Sequence, residues 1–363
     1  MVQEAIRASR QELGVLVLSY TECNQREIRR AFVREHGFVP SNVFIKGWFS
    51  FLLQDFVRPY RPRNFAVRVE GILLNSSNPH VLNGRTIRGR RAIINGELNP
   101  SYFLTSDRRR AHSAFLSKLA LEAEIRSGGL ATCRLSSLVS SIFVDEVQDL
   151  VGWDYEILEK ISGKEGISLY CVGDFRQTVY STSPGRKAPR ESSAKRDKFL
   201  GLGFQHEGVT TCHRSVQAIC NLSDLIFQSS GQYSETQSLA VYGAAEHQNH
   251  VGVFVVSPEN ARRYLASYRP MILRNSARAD ISFLDASEKV NFGESKGCTY
   301  DRTLIVPTDK IRNFFRGNLA VFDRDSTEQA RNKFYVAITR ARFSVAVILE
   351  GAASIPGVQE WNP

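Results

Sequence analysis

The sequence predicts an α/β protein with two parallel-sheet domains, the first of which carries a small inserted subdomain. Three observations support this. Short apolar runs alternate with helix-like segments twice along the 363 residues, which is typical of parallel sheets with covering helices. The apolar run at 142–144 ends abruptly in acidic residues, as a buried parallel strand does where it opens into a site. Residues 58–130 interrupt the alternation with Arg- and Pro-rich sequence.

This interruption sets the expected domain bounds. We expect the first domain to comprise residues 1–57 and 131–240, the insertion residues 58–130, and the second domain residues 241–363. Within the insertion, hydrophobic periodicity is weak until a helix expected at 113–126.

The first domain opens with a strand and a capped helix. Residues 14–20 predict a buried strand because consecutive apolar residues lie between a glycine and a polar residue. Thr21 is expected to cap the next helix, which should end at Gly37. A short strand is expected at 42–45.

Aromatic residues follow that strand in the sequence GWFSFLLQDF. Aromatic residues at helical spacing are usually core residues. The alternative is that Trp48 or Phe49 provides a platform on which a nucleic-acid base stacks.

The other elements follow from the same patterns. Further helices are expected at 2–12, 153–161, 215–228, 259–267 and 327–342. Further strands are expected at 167–172, 251–256, 271–273, 303–306 and 344–349. Residues 181–201 are rich in Ser, Lys, Arg and Pro and predict a basic loop.

Positive charge is concentrated rather than spread evenly. The formal net charge is +10, and residues 58–126 hold thirteen Lys and Arg against five Asp and Glu. Residues 186–198 hold six basic and two acidic residues. Such clusters are typical of proteins that bind a phosphate backbone. A basic surface that serves only solubility is the alternative.

The cysteines and the apolar runs exclude other classes of protein. The six cysteines are scattered without CxxC pairs, which favours a reducing cytoplasm and argues against a disulfide framework or a zinc site. No apolar run reaches the length of a membrane-spanning helix, and the first residues carry no signal-peptide core. We therefore expect a cytoplasmic protein without a membrane partner.

The acidic residues after the 142–144 run suit nucleotide chemistry. Asp145 and Glu146 would lie at the carboxyl end of a strand. One carboxylate can hold Mg2+ through water, and the other can take a proton from an attacking water. A surface acidic turn after an ordinary strand is the alternative.

Further polar clusters occur at expected strand ends or helix starts. They are GDFRQTVY at 173–180, CHRS at 212–215, GESKGCTYDR at 293–302, and FYVAITRAR at 334–342, the last expected to carry Arg340 on a helix. A single arginine of this kind is usually a surface salt-bridge partner. Arg214 and Arg340 together, facing a carboxylate pair, would suit a nucleoside triphosphate.

In this order, the segments SYTECNQREIRRAF, GWFSF, DEVQD, GDFRQTVY, CHRS, SKGCTYD and YVAITRAR resemble motifs Ia, Ib, II, III, IV, V and VI of the UvrD/Rep branch of superfamily-1 DNA helicases. The resemblance covers nearly the whole chain. It implies two RecA-like domains that bind ATP between them and single-stranded DNA, or a junction of duplex and single-stranded DNA, across their tops.

The resemblance also implies roles for individual residues. Asp145 would bind Mg2+, Glu146 would be the general base, Gln177 would couple the γ-phosphate to DNA, and Arg214 and Arg340 would be arginine fingers, with Gly297 near the nucleotide. Residues that the resemblance places on or near the DNA are Ser19, Thr21, Trp48, Tyr180, Ser295 and Lys296. The stacking alternative adds Phe49, and the basic charge of residues 58–126 adds Arg88, Arg90 and Arg91.

The sequence departs from that family most clearly in its phosphate loop. No GxxxxGK[ST] sequence occurs in the 363 residues, and the adenine-reading region is absent as well. Backbone amides and a lysine of that loop normally hold the β- and γ-phosphates. The large 2B insertion is also absent, and Thr299 stands where a ribose-binding Glu is common.

These departures leave two interpretations open. The chain is expected to be a short helicase truncated at its N-terminus, whose ATP hydrolysis is impaired. Alternatively, it is a nucleotide-independent DNA-binding pseudo-helicase or a regulatory subunit of a nuclease or defence complex.

Overall fold

The computed structural model describes residues 1–11, 13–61, 65, 68–75, 77–87, 90–179, 189, 191–241, 249–284 and 288–363. Backbone contacts divide the chain into two compact units. Unit 1 comprises Met1–Phe175 and Tyr180–Phe204, and unit 2 comprises Arg176–Val179 and Gln205–Pro363. The last crossing between the two units lies after residue 204, whereas the sequence predicts that the first domain ends at residue 240. The domain assignment from the sequence stays a prediction.

Unit 1 alternates strands and helices. Its helices are α1 (Val2–Ala8), α2 (Glu22–His36), α3 (Trp48–Phe51, continued by a π-helix at Leu52–Val57), α4 (Pro100–Phe103), α5 (Ser113–Arg126), α6 (Leu130–Leu138), α7 (Trp153–Ser162) and α8 (Ser192–Gly201). Its strands are β1 (Gly14–Ser19), β2 (Val43–Gly47), β3 (Gly71–Leu73), β4 (Val81–Leu82), β5 (Arg85–Thr86), β6 (Ile93–Ile94), β7 (Glu97–Leu98), β8 (Arg110–His112), β9 (Val139–Val144) and β10 (Ser168–Cys171).

The main sheet of unit 1 is parallel, in the order β10-β9-β1-β2. Every residue of β1 is buried, because this strand has a neighbour on each side and is covered on both faces. On one face, Val15 and Val17 pack with Ile28 and Phe32 of α2. On the other, Leu16 and Leu18 join the larger core that contains α5 and α7.

The helix after β1 has the predicted caps. Thr21 lies at its N-terminus, and its Oγ1 accepts a hydrogen bond of 3.1 Å from the Asn24 amide. Gly37 ends the helix with φ of +87°, a conformation that costs glycine little because it has no Cβ.

Unit 2 is a second parallel α/β unit. Its helices are α9 (Gln217–Leu225), α10 (Ala261–Tyr268), α11 (Asp309–Phe315) and α12 (Gln329–Ile338). Its strands are β11 (Thr211–Cys212), β12 (Gln237–Ser238), β13 (Gly252–Val256), β14 (Met271–Arg274), β15 (Lys289–Asn291), β16 (Tyr300–Val306), β17 (Ala341–Ile348) and β18 (Val358–Glu360). Its main sheet runs in the order β15-β14-β16-β17-β13-β18 with parallel pairs. The predicted α/β class with parallel sheets is confirmed.

Some element predictions are wrong. The strand predicted as buried at 167–172 is the edge strand β10, and Tyr170 on it is 48% exposed. The predicted loop at 181–201 contains the helix α8, which buries Ser192, Lys195 and Phe199. Residues 180–188 and 190 of that segment lie outside the described part of the chain.

The helix predicted at 327–342 is also shorter than expected. It ends at Ile338, and β17 begins at Ala341. Arg340 therefore lies in the turn between them and not on the helix. The ladder that β17 forms with β13 and β16 overrides the helical pattern of the sequence, because its backbone groups pair there instead.

Candidate functional site

The acidic residues follow β9 as the sequence predicts. The Asp145 amide donates to the Leu18 carbonyl at 2.8 Å, so the parallel ladder extends one residue beyond the strand. Glu146 then turns the chain with φ of +58° and ψ of +40°, a left-handed conformation that is uncommon for a residue with a Cβ. Both residues are half-buried. We call residues 145–149 the acidic turn.

Gln148 fixes the carboxylate of Glu146. Its Nε2 donates a hydrogen bond to Glu146 Oε2, and its side chain is 1% exposed. This packing depends on a glycine, because a Cβ on Gly173 would overlap Gln148 Oε1 and lie 3.1 Å from the Val147 nitrogen. Position 173 therefore requires a glycine, because any larger residue would collide with Gln148 of the acidic turn.

A buried lysine also holds the acidic turn. Lys195 of α8 is 1% exposed, and its Nζ donates to the main-chain carbonyl of Gln148. Burial of an ammonium group is costly unless it is hydrogen-bonded. Sequence reasoning assigned Lys195 to a solvated basic loop. The spacing of Ser192, Lys195 and Phe199 was the only signal of an inward helical face.

Trp48 occupies the core rather than the surface. It is 2% exposed, and its Nε1 donates a hydrogen bond of 2.8 Å to Asp154 Oδ1. Asp154 also accepts from Ser117 Oγ and, at 3.0 Å, from the Val151 amide. Asp154 thus ties Trp48 to α5 and to the chain just after the acidic turn. This placement agrees with the interpretation of Trp48 as a core residue and not with a base-stacking platform.

Phe49 is half-buried and contacts Tyr20 edge-on, with ring centroids 5.6 Å apart. Burial, with smaller contributions from Asp149 and Asp154, raises the pKa of Tyr20 to about 12. Tyr20 therefore stays neutral at physiological pH.

The other residues expected near DNA differ in how far they are exposed to solvent. Ser19 is 1% exposed and Ser295 is fully buried, and Ser295 Oγ donates to the Phe292 carbonyl at 2.7 Å. Thr21 is exposed on the helix cap, and Lys296 is half-buried on the turn before β16. Arg90 and Arg91 are exposed, whereas Arg88 and Tyr180 lie outside the described residues.

Unit 2 brings several predicted residues together around Arg340. Arg340 is 1% exposed, and its Nη2 donates to Gln177 Oε1 at 3.1 Å. Its Nη1 donates to the carbonyl of Cys298, next to Gly297, at 3.4 Å. Arg214 Nη1 donates to the carbonyl of Thr339, the residue before Arg340, at 3.2 Å. We call Gln177, Arg214, Gly297 and Arg340 the arginine cluster.

Gly297 has φ of +80°, so the turn that places the Cys298 carbonyl near Arg340 adopts a conformation that glycine tolerates best. The remaining donors of Arg340 stay local. Its Nε donates to the Val336 carbonyl at 3.1 Å, and its Nη2 also lies 3.2 Å from Thr339 Oγ1.

Gln177 belongs to a short segment, Arg176–Val179, that is anchored within unit 2. Arg176 forms an ion pair of 3.4 Å with Asp224. Its guanidinium lies over the rings of Tyr233 and Tyr335, at 4.9 and 4.6 Å from their centroids. The Thr178 carbonyl accepts a hydrogen bond of 3.0 Å from Asn332 Nδ2. Sequence reasoning missed these anchors, because Asp224 and Asn332 are remote in the chain and carry no motif.

The side chains of the described residues limit the metal chemistry of the site. No group of three His, Cys, Asp or Glu side chains placed to hold a metal occurs among them. Asp145 alone would suit Mg2+, which needs only one or two carboxylates when water and phosphates supply its other ligands.

None of the helices within the described residues has the length and apolar character needed to span a membrane.

Comparison with known proteins gives a distant likeness. No family model matches the sequence, and the search of curated proteins gave no match. Among solved structures, the chain is similar to the arterivirus nonstructural protein 10 helicase in complex with DNA, with 13% identity and a TM-score of 0.42. A crystal structure of an arterivirus nonstructural protein 10 helicase gives 12% identity and a TM-score of 0.43.

The matches cover 96% of this chain but only 57% and 56% of the respective helicase chains. The chain thus spans little more than half the length of these proteins.

Proposed function

We propose that the chain is the core of a superfamily-1 helicase or translocase of the UvrD-like type, which hydrolyses ATP while it moves on single-stranded DNA. The observation that carries the proposal is the hydrogen bond of 3.1 Å between Arg340 and Gln177. It joins two residues 163 positions apart, which the family resemblance assigns to γ-phosphate coupling and to an arginine finger. Arg214 donates a hydrogen bond to the carbonyl of Thr339, the residue before Arg340.

The acidic turn supports the same proposal from unit 1. Glu146 has φ of +58°, and residues in such uncommon backbone conformations cluster at functional sites. Asp145 would hold Mg2+ and Glu146 would orient and deprotonate the attacking water. Bound ATP would supply the phosphoryl group, whose developing charge Arg214 and Arg340 would stabilise.

One observation favours the alternative of a DNA-binding protein that does not use ATP. Arg340 is 1% exposed and already donates to protein oxygens, so its role could be purely structural. In this alternative the basic surface binds DNA, or a nuclease partner uses the protein as a regulatory subunit.

ATP turnover with and without an oligo(dT) single strand separates the two. The proposal expects turnover that DNA stimulates and that Glu146→Gln abolishes while leaving the fold intact. Absence of turnover both in this chain and in a version extended upstream to a GxxxxGK[ST] loop, combined with DNA affinity that ignores ATP, would refute the motor and support the alternative.

DNA binding itself is tested by charge reversal. Arg90→Glu with Arg91→Glu should weaken binding and reduce the salt dependence of the affinity, because each lost phosphate contact removes about 0.9 from the slope of log K against log salt. The matched control is Arg30→Glu with Arg34→Glu on α2, whose side chains are 72% and 71% exposed. Equal weakening by both pairs would indicate only a net-charge effect.

A further inference from the structure

The thiols of Cys212 and Cys220 share one backbone neighbour. The Ser215 amide donates to Cys212 Sγ at 3.4 Å, and Cys220 Sγ donates to the Ser215 carbonyl at 3.8 Å. The backbone of Ser215 therefore brings both sulfurs next to one residue. Cys212 is half-buried at the end of β11, and Cys220 is 3% exposed in the first turns of α9.

The surroundings make the two sulfurs chemically unequal. The Cys220 thiol and the main-chain amides of Ser215 and Arg214 stabilise the Cys212 thiolate. Against the opposing effect of burial, they lower the pKa of Cys212 to about 5. The pKa of Cys220 is raised, because the neighbouring Cys212 thiolate favours its protonated form and because it is buried. One sulfur is therefore an ionised nucleophile, and the other is a protonated thiol beside it.

We propose that Cys212 and Cys220 form a redox-active dithiol that a peroxide converts to an intramolecular disulfide. The Cys212 thiolate attacks one oxygen of hydrogen peroxide, the O–O bond breaks, and the leaving hydroxide takes a proton from solvent, which gives a sulfenic acid and water. Cys220 sulfur then attacks Cys212 sulfur, the S–O bond breaks, and the oxygen leaves as water with the Cys220 proton. In total, two thiols are oxidised by two electrons and one peroxide is reduced to two waters.

The disulfide would close a loop that contains Arg214. Within this loop, Ser215 Oγ donates to the Ala341 carbonyl at 2.7 Å, and the Val216 amide donates to the Arg342 carbonyl at 3.0 Å. Bond formation must draw the sulfurs together to about 2.05 Å, which displaces the Ser215 contacts. Oxidation is therefore expected to perturb Arg214. If Arg214 acts in ATP hydrolysis, oxidation should lower ATP turnover. That expectation rests on the proposed function, whereas formation of the disulfide does not.

Peptide mapping tests the disulfide directly. Trypsin cleaves after Arg214, so Cys212 lies on peptide 199–214 and Cys220 on peptide 215–262. Treatment of the folded chain with equimolar hydrogen peroxide at pH 6 should yield these peptides as one linked species that dithiothreitol separates. In Cys220→Ser the link is absent, and dimedone should instead trap a sulfenic acid on Cys212. The matched control, Cys133→Ser, removes an exposed thiol and should leave the link unchanged.

The rate of alkylation gives a second measurement. At pH 6 an ordinary thiol of pKa about 8.5 is roughly 300-fold less ionised than Cys212. A thiolate of low pKa is a weaker nucleophile, which reduces this roughly 300-fold advantage in ionised fraction by about 30-fold. Cys212 should therefore react with iodoacetamide about tenfold faster than free glutathione. An equal or slower rate, or no linked peptide in protein whose circular dichroism is unchanged, overturns the proposal.

ATP turnover separates this proposal from the proposed function. Turnover that falls on oxidation and recovers with dithiothreitol supports both. A linked peptide supports the dithiol even where neither this chain nor its upstream-extended version shows turnover, a result that refutes the motor.

Discussion

Replacement of Trp48 by Phe distinguishes a core tryptophan from a base-stacking platform. The indole is 2% exposed, and its Nε1 donates to Asp154, which is 1% exposed. The Phe ring keeps most of the apolar surface but removes the donor. Asp154 would then retain Ser117 Oγ and the Val151 amide as partners, so the buried carboxylate would be only partly satisfied.

The expected loss of stability has two parts. A hydrogen bond to a charged group contributes about 1.5–3 kcal/mol. The smaller ring leaves a void that costs on the order of 1 kcal/mol. We therefore expect Trp48→Phe to lower the free energy of unfolding of unit 1 by about 3 kcal/mol. In a double-mutant cycle with Asp154→Asn, the two changes should couple by about 1–2 kcal/mol, because each removes part of the same contact.

Urea denaturation followed by far-ultraviolet circular dichroism measures this loss without relying on the altered tryptophan. Fluorescence anisotropy with a labelled oligo(dT) strand measures DNA affinity in the same samples. The core assignment expects a large loss of stability and DNA affinity within about twofold of the unaltered chain below the transition. A stability change under about 0.5 kcal/mol with a tenfold loss of DNA affinity would refute it and establish stacking.

Three further predictions concern buried contacts. Gly173→Ala should cost about 2 kcal/mol of stability by urea denaturation, because the new Cβ overlaps Gln148 Oε1. Gly201→Ala, which meets no atom within 4 Å, should be neutral or stabilising, and equal effects would contradict the steric argument. Lys195→Met should cost about 2 kcal/mol, because the Gln148 carbonyl loses a buried donor, and an unchanged denaturation midpoint would contradict this. Burial, assisted by the positive charge of Arg302, lowers the pKa of His250 from its usual 6.5 to about 4. Unfolding protonates this histidine, so its contribution is complete above pH 6.5 and is lost as the pH falls towards 4. It amounts to about 3 kcal/mol, and His250→Phe should flatten that part of the stability profile.

The sequence predicted most of the elements whose signals are local. The strand at residues 14–19 lies between a glycine and a polar cap, and Thr21 and Gly37 bound the helix that follows. Each of these signals acts over a few residues, so no distant contact was needed to find the element.

Elements decided by distant contacts were harder to predict. The helix α8 was missed because its inward face includes Lys195, a residue type that is rarely buried without a partner, and that partner lies 47 residues earlier. Arg340 was placed on a helix because residues 327–342 carry no Gly or Pro. The actual end of that helix depends on the pairing of β17 with two other strands.

The same limit applies to the candidate site. The position of Asp145 and Glu146 at a strand end follows from local sequence. The bond between Trp48 and Asp154 spans 106 residues, and no periodicity could indicate it. The partners of Gln177 within unit 2 were not predicted, because Gln177 follows a strand of unit 1 and Arg340 lies 163 residues further along the chain.

The path of the chain through the segment Arg176–Val179 determines how the protein can be dissected. The chain passes between the units at 175/176, 179/180 and 204/205. A single cut after Phe204 therefore produces no intact unit 2, because the fragment that begins at Gln205 lacks Gln177 and leaves Arg340 without its amide partner. Fragment complementation should thus require the segment to be supplied with the C-terminal half, for example as a fused peptide, and protease nicking at 204/205 should not release two independently folded halves.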